Sequence, residues 1–200
     1  MENNEVLTEA KEMIRAEGRA ILSAADQIDD TFLDALNAIN ECSRNILVSA
    51  VGTSGTIARR FAHLLSSCGM TAFFFHPGEA LHGPSALVKT GDVVIALSKA
   101  GKSSELNDFI KIAKNRGGKT ICFTADPKSE LAQLSDIVIE IQTDTKGEGE
   151  GIFPFGSSLV NAAIGDALCL LARRKIGFEL AELEQTHPSG ATADLVKRDP

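Results

Sequence analysis

The sequence lacks the excess of basic residues that nucleic-acid-binding proteins use to neutralise phosphates. It holds 20 Lys and Arg against 27 Asp and Glu, which gives a formal net charge of −7. A chain with this balance is not expected to have nucleic acid as its main partner, because that partner requires a basic face. The charge does not argue against a small anion site, where a few dipoles and hydroxyl groups determine affinity.

Paired cysteines are also absent. The four cysteines are scattered along the chain, and no CxxC pair occurs. Cys122 and Cys169 lie inside the apolar runs "TICFTA" and "DALCLLA". Disulfides form in oxidising compartments, so we predict instead that these thiols pack as small hydrophobic groups in a reducing compartment.

Targeting and membrane signals are not found either. The N-terminal stretch "MENNEVLTEAKE" is acidic and has no apolar centre, so we expect no signal peptide. We find no apolar stretch that approaches the roughly 18 residues needed to cross a bilayer. These observations predict a cytoplasmic protein that does not span a membrane.

The composition that remains is that of a folded globular protein. Hydrophobic residues make up 44% of the 200 residues and charged residues 24%. A chain of this length can bury a sizeable core without disulfides or metal ions. We predict N-terminal helices over residues 1–44, one domain over 45–191 and a polar tail over 192–200.

Five short apolar runs predict the strands of that domain. They are continuous, not alternating, which is typical of parallel strands covered on both faces. Helical stretches separate several of them, and a long apolar helix is predicted at Phe155–Ile176. This order predicts a doubly wound three-layer α/β/α sandwich with a five-stranded parallel sheet. The runs are "NILVSAVG", "TAFFFHPG", "DVVIALS", "KTICFTAD" and "DIVIEIQ".

Small polar residues follow three of these strands. "GTSGT" follows the first, "SKAGKSSE" the third, and Thr124 ends the fourth. In an open α/β sheet, ligands bind at the carboxyl ends of the strands, where helix N-termini favour anions. Serine and threonine after a strand are also ordinary helix caps, but three such segments on one sheet favour a phosphate site. No GxxxxGK[ST] motif occurs, which argues against a nucleoside triphosphate.

Several segments together resemble a SIS (sugar isomerase) phosphosugar-binding domain, most closely the isomerase half of arabinose-5-phosphate isomerases. They are "GTSGTIARRFAHLLSSCG", "FFFHPGEALHG", "DVVIALSKAGKSSEL", "GDALCLLARRKIGFELAEL" and "THPSGA". The pair "HPGEALHG" and "HPSGA" is fairly specific to that branch and is not the pattern of the 6-phospho-3-hexuloisomerases. The paired CBS domains that often follow in this family are not in these 200 residues.

The resemblance implies a site for a phosphorylated sugar, with no metal or organic cofactor. By similarity, the phosphate would be held by Ser54, Ser98, Ser103 and Ser104, with Thr124 nearby. We add as candidate binding residues Gly52, Thr53, Lys99 and Lys102, which lie in the same loops. The family usually has Ser-x-Ser-Gly where this chain has "SKAG", so Ala100 removes one hydroxyl, which costs about 1 kcal/mol. Lys102 or Lys99 would offset that loss by its charge.

The resemblance also implies aldose–ketose isomerisation through a cis-enediol. Glu148 or Glu150 is the preferred base and Glu105 the reserve. His82 and His187 would open the sugar ring or move protons, because histidine titrates near neutral pH.

Two departures from the family pattern concern catalysis. Thr53 stands where these isomerases carry Lys in "GKSG", and Lys102 stands where they carry Glu in "SGESSE". These departures favour an alternative, a non-catalytic phosphosugar sensor. A third reading is an amino-sugar or heptose phosphate isomerase, against which "HPGEALHG" argues. The resemblance further implies a homo-oligomer, commonly a tetramer with sites shared between subunits.

Overall fold

The computed structural model describes residues 3–143, 145–186 and 189, so the predicted polar tail lies outside the described residues. Across these residues the chain alternates between short strands and helices. The strands are β1 (Ile46–Ser49), β2 (Ala72–Phe74), β3 (Val93–Leu97), β4 (Lys119–Thr124) and β5 (Ile137–Glu140). The helices are α1 (Asn3–Ala25), α2 (Asp30–Asn40), α3 (Gly52–Ser67), α4 (Pro77–Ala80), α5 (Ser104–Asn115), α6 (Glu130–Leu134), α7 (Phe155–Ile176) and α8 (Leu180–Thr186).

The five strands form one sheet in the order β2-β1-β3-β4-β5. Every neighbouring pair is parallel; Leu47 pairs with Val94, for example, and Val94 with Thr120. The predicted five-stranded parallel sheet is therefore confirmed, and each strand lies within its apolar run. The chain reverses its direction of winding between β1 and β3, which makes this the topological switch point of the sheet.

Helices cover both faces of the sheet, as a three-layer sandwich requires. Alternate strand residues point to opposite faces, so Ile95 packs in one core and Val94 in the other. The larger core includes residues of α1, α2, α3 and α7, and the smaller one residues of α4, α5 and α6. Burial on both faces explains why the strands are apolar along their whole length.

The expectation that no segment is long and apolar enough to cross a membrane is wrong for α7. Its 22 residues meet that criterion by length and composition, although half of the qualifying window is buried inside the protein. The helix packs against α1, α2 and α3, and Ile164 and Leu168 lie in the larger core. This packing accounts for the apolar composition, since a core helix is hydrophobic on most of its surface.

The cysteines lie where small hydrophobic residues are expected. Cys122 and Cys169 are buried, Cys42 and Cys68 are half-buried, and all four are free thiols. Burial raises the pKa of Cys122 to about 11 and raises that of Cys169 further. A raised pKa lowers the thiolate fraction, so these two sulfur atoms are unreactive packing groups.

Candidate functional site

Two helices begin beside the topological switch point without a side-chain cap. Helix α3 follows β1 with Val51 at its N-cap, and α5 follows the loop after β3 with Ser103 at its N-cap; neither N-cap side chain caps its helix. By contrast α2, α4 and α6 are capped by the side chains of Asp29, His76 and Ser129.

The open starts of α3 and α5 leave backbone N–H groups free at neighbouring strands. The first turns are Gly52–Gly55 and Ser104–Asn107; Gly55 and Asn107 are the first to donate back, to Val51 and Ser103. The preceding amides are free to bind an anion, and both helix dipoles favour one there. This is the arrangement that the predicted phosphate site requires.

The loop between β3 and α5 is held in one shape by its own contacts. The Gly101 N–H donates to the Ser98 carbonyl at 3.1 Å and to Ser98 Oγ at 3.2 Å. The Gly101 carbonyl accepts from Asn107 Nδ2 and from the Leu131 N–H, both at 3.3 Å. Gly101 has φ +61°, a conformation that favours glycine. Ser98 therefore keeps its hydroxyl proton free to donate to a ligand.

Thr124 holds this loop in place from the neighbouring strand. Its side chain is fully buried, its hydroxyl donates to the Lys99 carbonyl at 3.1 Å, and the same oxygen accepts from the Asp126 N–H at 3.3 Å. The Ala125 N–H also donates to the Lys99 carbonyl, at 2.9 Å. The residue predicted to lie near the phosphate thus fixes the backbone of Lys99.

A buried glutamate, Glu148, contacts this loop from the segment between β5 and α7. Lys99 Nζ lies 3.2 Å from Glu148 Oε1, and the Glu148 side chain is only 2% exposed. The same oxygen accepts from Thr143 Oγ1 at 2.9 Å and from the Ser157 N–H, at the start of α7, at 2.8 Å. Oε2 is buried and accepts no hydrogen bond from the described residues.

The loop that carries Glu148 is fixed at both of its ends. Before it, Gln27 donates to the Gln142 carbonyl at 3.0 Å and accepts from the Gln142 N–H at 2.8 Å. After it, Gly156 packs so closely on Gly147 that an added Cβ would lie 2.9 Å from the Gly147 carbonyl oxygen. Glu148 is consequently held in a defined position against the N-terminus of α7.

Hydrogen bonding decides the protonation state of Glu148. Burial alone would raise the pKa of this carboxyl, but hydrogen bonds from Ser157, Thr143 and Lys99 outweigh it and hold the pKa below the ordinary 4.5. These donors stabilise the ionised form. Glu148 is therefore a carboxylate at neutral pH, able to accept a proton.

This lowered pKa predicts a dependence of stability on acid. The stabilisation from a lowered carboxyl pKa is fully present above the ordinary value of 4.5 and is lost as pH falls through the folded-state pKa. We expect the difference in unfolding free energy between wild type and Glu148→Gln to shrink between about pH 6 and pH 3. Urea unfolding across that range measures it, and a constant difference would contradict the assigned hydrogen bonds.

The other predicted catalytic residues are less closely placed. Glu105 is half-buried in the first turn of α5, where Ser104 Oγ donates to it at 3.3 Å. Glu150 is exposed, with φ +52°, and lines a groove against α1. His82 is exposed in the turn after α4. His187 lies outside the described residues.

The remaining predicted binding residues lie at the starts of α3 and α5 and in the loop before α5. Gly52 and Thr53 are exposed at the start of α3, with Ser54 half-buried behind them, and Lys102 and Ser104 are exposed beside the half-buried Ser103. The structure brings Lys99 and Glu148 into contact, together with the loop built around Gly101.

Three supporting residues were missed by the sequence analysis. Thr143 and Ser157 donate to Glu148, and the buried Asn107 holds the Gly101 carbonyl. The segment "FPFGSSL" indicates a helix start, because a proline precedes two serines there. The free N–H groups of such a start favour a carboxylate, and this is the signal by which Ser157 could have been found. Nothing in the sequence indicates Asn107, which lies within a helix.

Most of the residues of the candidate site lie in a segment that matches a known family. A family model described as "SIS domain" matches residues 40–169, which contain both open helix starts and Glu148. Among curated proteins, the arabinose 5-phosphate isomerase KdsD of Escherichia coli strain K12 is 32% identical over 181 residues, or 90% of this chain. The match covers 55% of that protein, so the chain spans about half the length of the curated relatives that it matches.

Solved structures share the fold. The E. coli CFT073 protein c3406, solved in complex with arabinose 5-phosphate, superposes with a TM-score of 0.88 at 30% identity, covering 94% of this chain and all of that one. The Vibrio vulnificus NanR protein, complexed with ManNAc-6P, superposes with a TM-score of 0.71 at 20% identity over 94% of this chain and 66% of that one. The second likeness concerns the fold alone.

Proposed function

The chain belongs to the SIS domain family, and from that premise we propose that it binds a phosphorylated sugar and isomerises it between aldose and ketose forms. The observation that carries the proposal is the ionised, buried Glu148 in contact with Lys99, in the loop that leads from β3 to the uncapped start of α5. The identity to KdsD and to the protein solved with arabinose 5-phosphate makes a pentose 5-phosphate the first substrate class to test.

The phosphate would bind at the switch point between β1 and β3. Free amides of both helix starts would donate to it, with the hydroxyls of Ser54, Ser98, Ser103 and Ser104. Two helix dipoles and up to four hydroxyl groups give enough donors for a dianion without a basic patch. This arrangement suits a protein whose net charge is negative.

Glu148 would act as the base once the sugar ring is open. In the aldose it removes the proton on C2 while His82 or His187 gives a proton to the C1 carbonyl oxygen, which gives the cis-enediol. The O2 hydroxyl then gives a proton to that histidine, and the proton held by Glu148 returns to C1, which gives the ketose. Atoms and charges balance without a cofactor, and His82 or His187 would move the protons of ring opening.

A non-catalytic sensor remains the second candidate, and two positions favour it. Thr53 and Lys102 replace the lysine and the glutamate that the resemblance leads us to expect. A sensor would use the same helix starts for the phosphate but would have no need of a base. An ionised Glu148 held by three donors supports catalysis over this alternative.

Self-association and a cytoplasmic location complete the proposal. Several apolar side chains of α1 are exposed, as are those of the loop before α7, and they offer surfaces for contact between subunits. The most exposed are Leu7, Ile14, Leu22, Ile152 and Phe153. We expect a homo-oligomer, tetrameric as the resemblance implies.

Solvent deuterium exchange tests the isomerase directly. The purified protein is incubated in D2O with arabinose 5-phosphate, ribulose 5-phosphate and the hexose and hexulose 6-phosphates, and NMR follows C1 and C2. Deuterium entering one of these carbons at a rate proportional to protein concentration is the expected result. No exchange, together with thermal stabilisation by one of the compounds, would favour the sensor.

A further inference from the structure

The structure assigns to Lys99 a positioning role: we infer that its ammonium group fixes the Glu148 carboxylate and supplies the charged donor of the site from the loop between β3 and α5. The inference rests on the proposed function, because it concerns the base of that reaction. The effect of Lys99 on Glu148 can be measured by titration of Glu148, without measuring the isomerisation.

The backbone of Lys99 is anchored before its side chain reaches Glu148. Its carbonyl accepts from Thr124 Oγ1 and from the Ala125 N–H, which tie it to the end of β4. The tight turn at Gly101 follows directly. A lysine on a fixed backbone loses less freedom when it forms an ion pair than one on a mobile loop.

The donors to Glu148 divide its two oxygens into different roles. Oε1 takes all three recorded donors, and Lys99 is the charged one among them. Oε2 is buried and accepts nothing from the described residues. A buried carboxylate oxygen without a donor is costly, so the contacts to Oε1 have to hold the carboxylate in place. Lys99 thus helps to fix Glu148 through Oε1 and leaves Oε2 as the oxygen without a donor among the described residues.

Among the ion pairs of the described residues, the one that involves Glu148 is formed with Lys99. Lys146 and Glu150 flank it on its own loop, and Arg19 of α1 borders the same loop. The first turn of α7 contains no charged residue, and the ion pair recorded between Glu148 and a described residue is the one with Lys99. Lys102 is exposed in the loop that carries Lys99.

The exposure of Lys99 fits a group that also meets the ligand. Its side chain is 39% exposed, whereas that of Glu148 is 2% exposed. An ammonium group has three protons, and one contact to Oε1 leaves two of them for an anionic oxygen. The first turns of α3 and α5 hold no lysine or arginine, so the loop before α5 would provide the positive charge there, through Lys99 and the exposed Lys102.

An NMR titration tests the inference without requiring turnover. Carboxyl carbons of glutamate are labelled with ¹³C, and the Glu148 signal is assigned by its loss in Glu148→Gln. We expect Lys99→Met to raise the Glu148 midpoint, because the substitution removes the opposite charge that lies 3.2 Å from Oε1. Lys99→Arg should preserve most of the wild-type value. Lys111→Met, the same change on an exposed residue of α5, should leave it unchanged.

Kinetics separate the inference from the proposed function. With the exchange substrate, Lys99→Met should lower kcat/KM on the order of 100-fold, the size expected for a misplaced catalytic group. The acid limb of the pH profile of kcat/KM should move to higher pH in Lys99→Met, as the NMR midpoint of Glu148 does. Lys99→Arg should recover part of the loss of kcat/KM. An unchanged Glu148 midpoint in Lys99→Met would overturn the role of Lys99. Absence of wild-type exchange would overturn the isomerase, while the titration would still decide the role of Lys99.

Discussion

Glu148→Gln is expected to reduce turnover about a thousandfold, within the range by which a general base accelerates proton transfer. The substitution keeps the length of the side chain and keeps an oxygen for the Ser157 N–H and Thr143 Oγ1. It removes the negative charge and the ability to accept a proton from carbon. Binding of the sugar phosphate should change by less than about tenfold, or roughly 1.4 kcal/mol, because the donors that we propose for the phosphate lie on α3, α5 and the loop between β3 and α5.

Glu150→Gln is the matched comparison on the same loop. Glu150 is exposed beside α1, so its replacement should affect turnover far less if Glu148 is the base. Exchange rates and isothermal titration with the substrate measure both quantities for each variant. Equal losses of binding and turnover in Glu148→Gln, or a larger loss in Glu150→Gln, would remove Glu148 from that role.

Periodicity and strand runs predicted the architecture because they reflect burial. The five apolar runs contain the five strands, and Phe155–Ile176 is helical over its predicted range. Helix α2 begins after α1 at the N-cap Asp29, whose Oδ1 accepts from the Thr31 N–H at 2.9 Å. Not predicted were the short helix α4 and the 3-10 turn Pro84–Leu87, which are too brief to produce a periodic pattern.

The site was harder to predict, because its contacts join distant parts of the chain. The sequence indicated both Lys99 and Glu148, but left open which of Glu148 and Glu150 was the better candidate. Only the packing of the loop on α7 shows that one is buried and the other exposed. The contact of Thr124 with the loop that carries Lys99 could not be predicted either. A serine or threonine after a strand has the same sequence pattern whether it binds a ligand or a neighbouring loop.

Gly101→Ala is expected to destabilise the protein by about 2–5 kcal/mol. An alanine at φ +61° pays about 1–2 kcal/mol for the left-handed conformation. Its Cβ would also clash with Oγ and Cβ of Ser129, and such overpacking costs about 1–3 kcal/mol. Urea unfolding measures the change against a typical domain stability of about 5–15 kcal/mol.

The double variant Gly101→Ala with Ser129→Gly separates the two causes. Removing the Ser129 side chain abolishes both close contacts, and glycine at that helix cap costs only a few tenths of a kcal/mol. The double variant should therefore regain the overpacking part and keep the backbone part, so the two changes are non-additive by about 1–3 kcal/mol. Strict additivity would mean that the added Cβ does not clash with Ser129. Because this loop presents Ser98, Lys99 and Ser103, Gly101→Ala should also weaken sugar-phosphate binding, and the double variant should restore binding in step with stability.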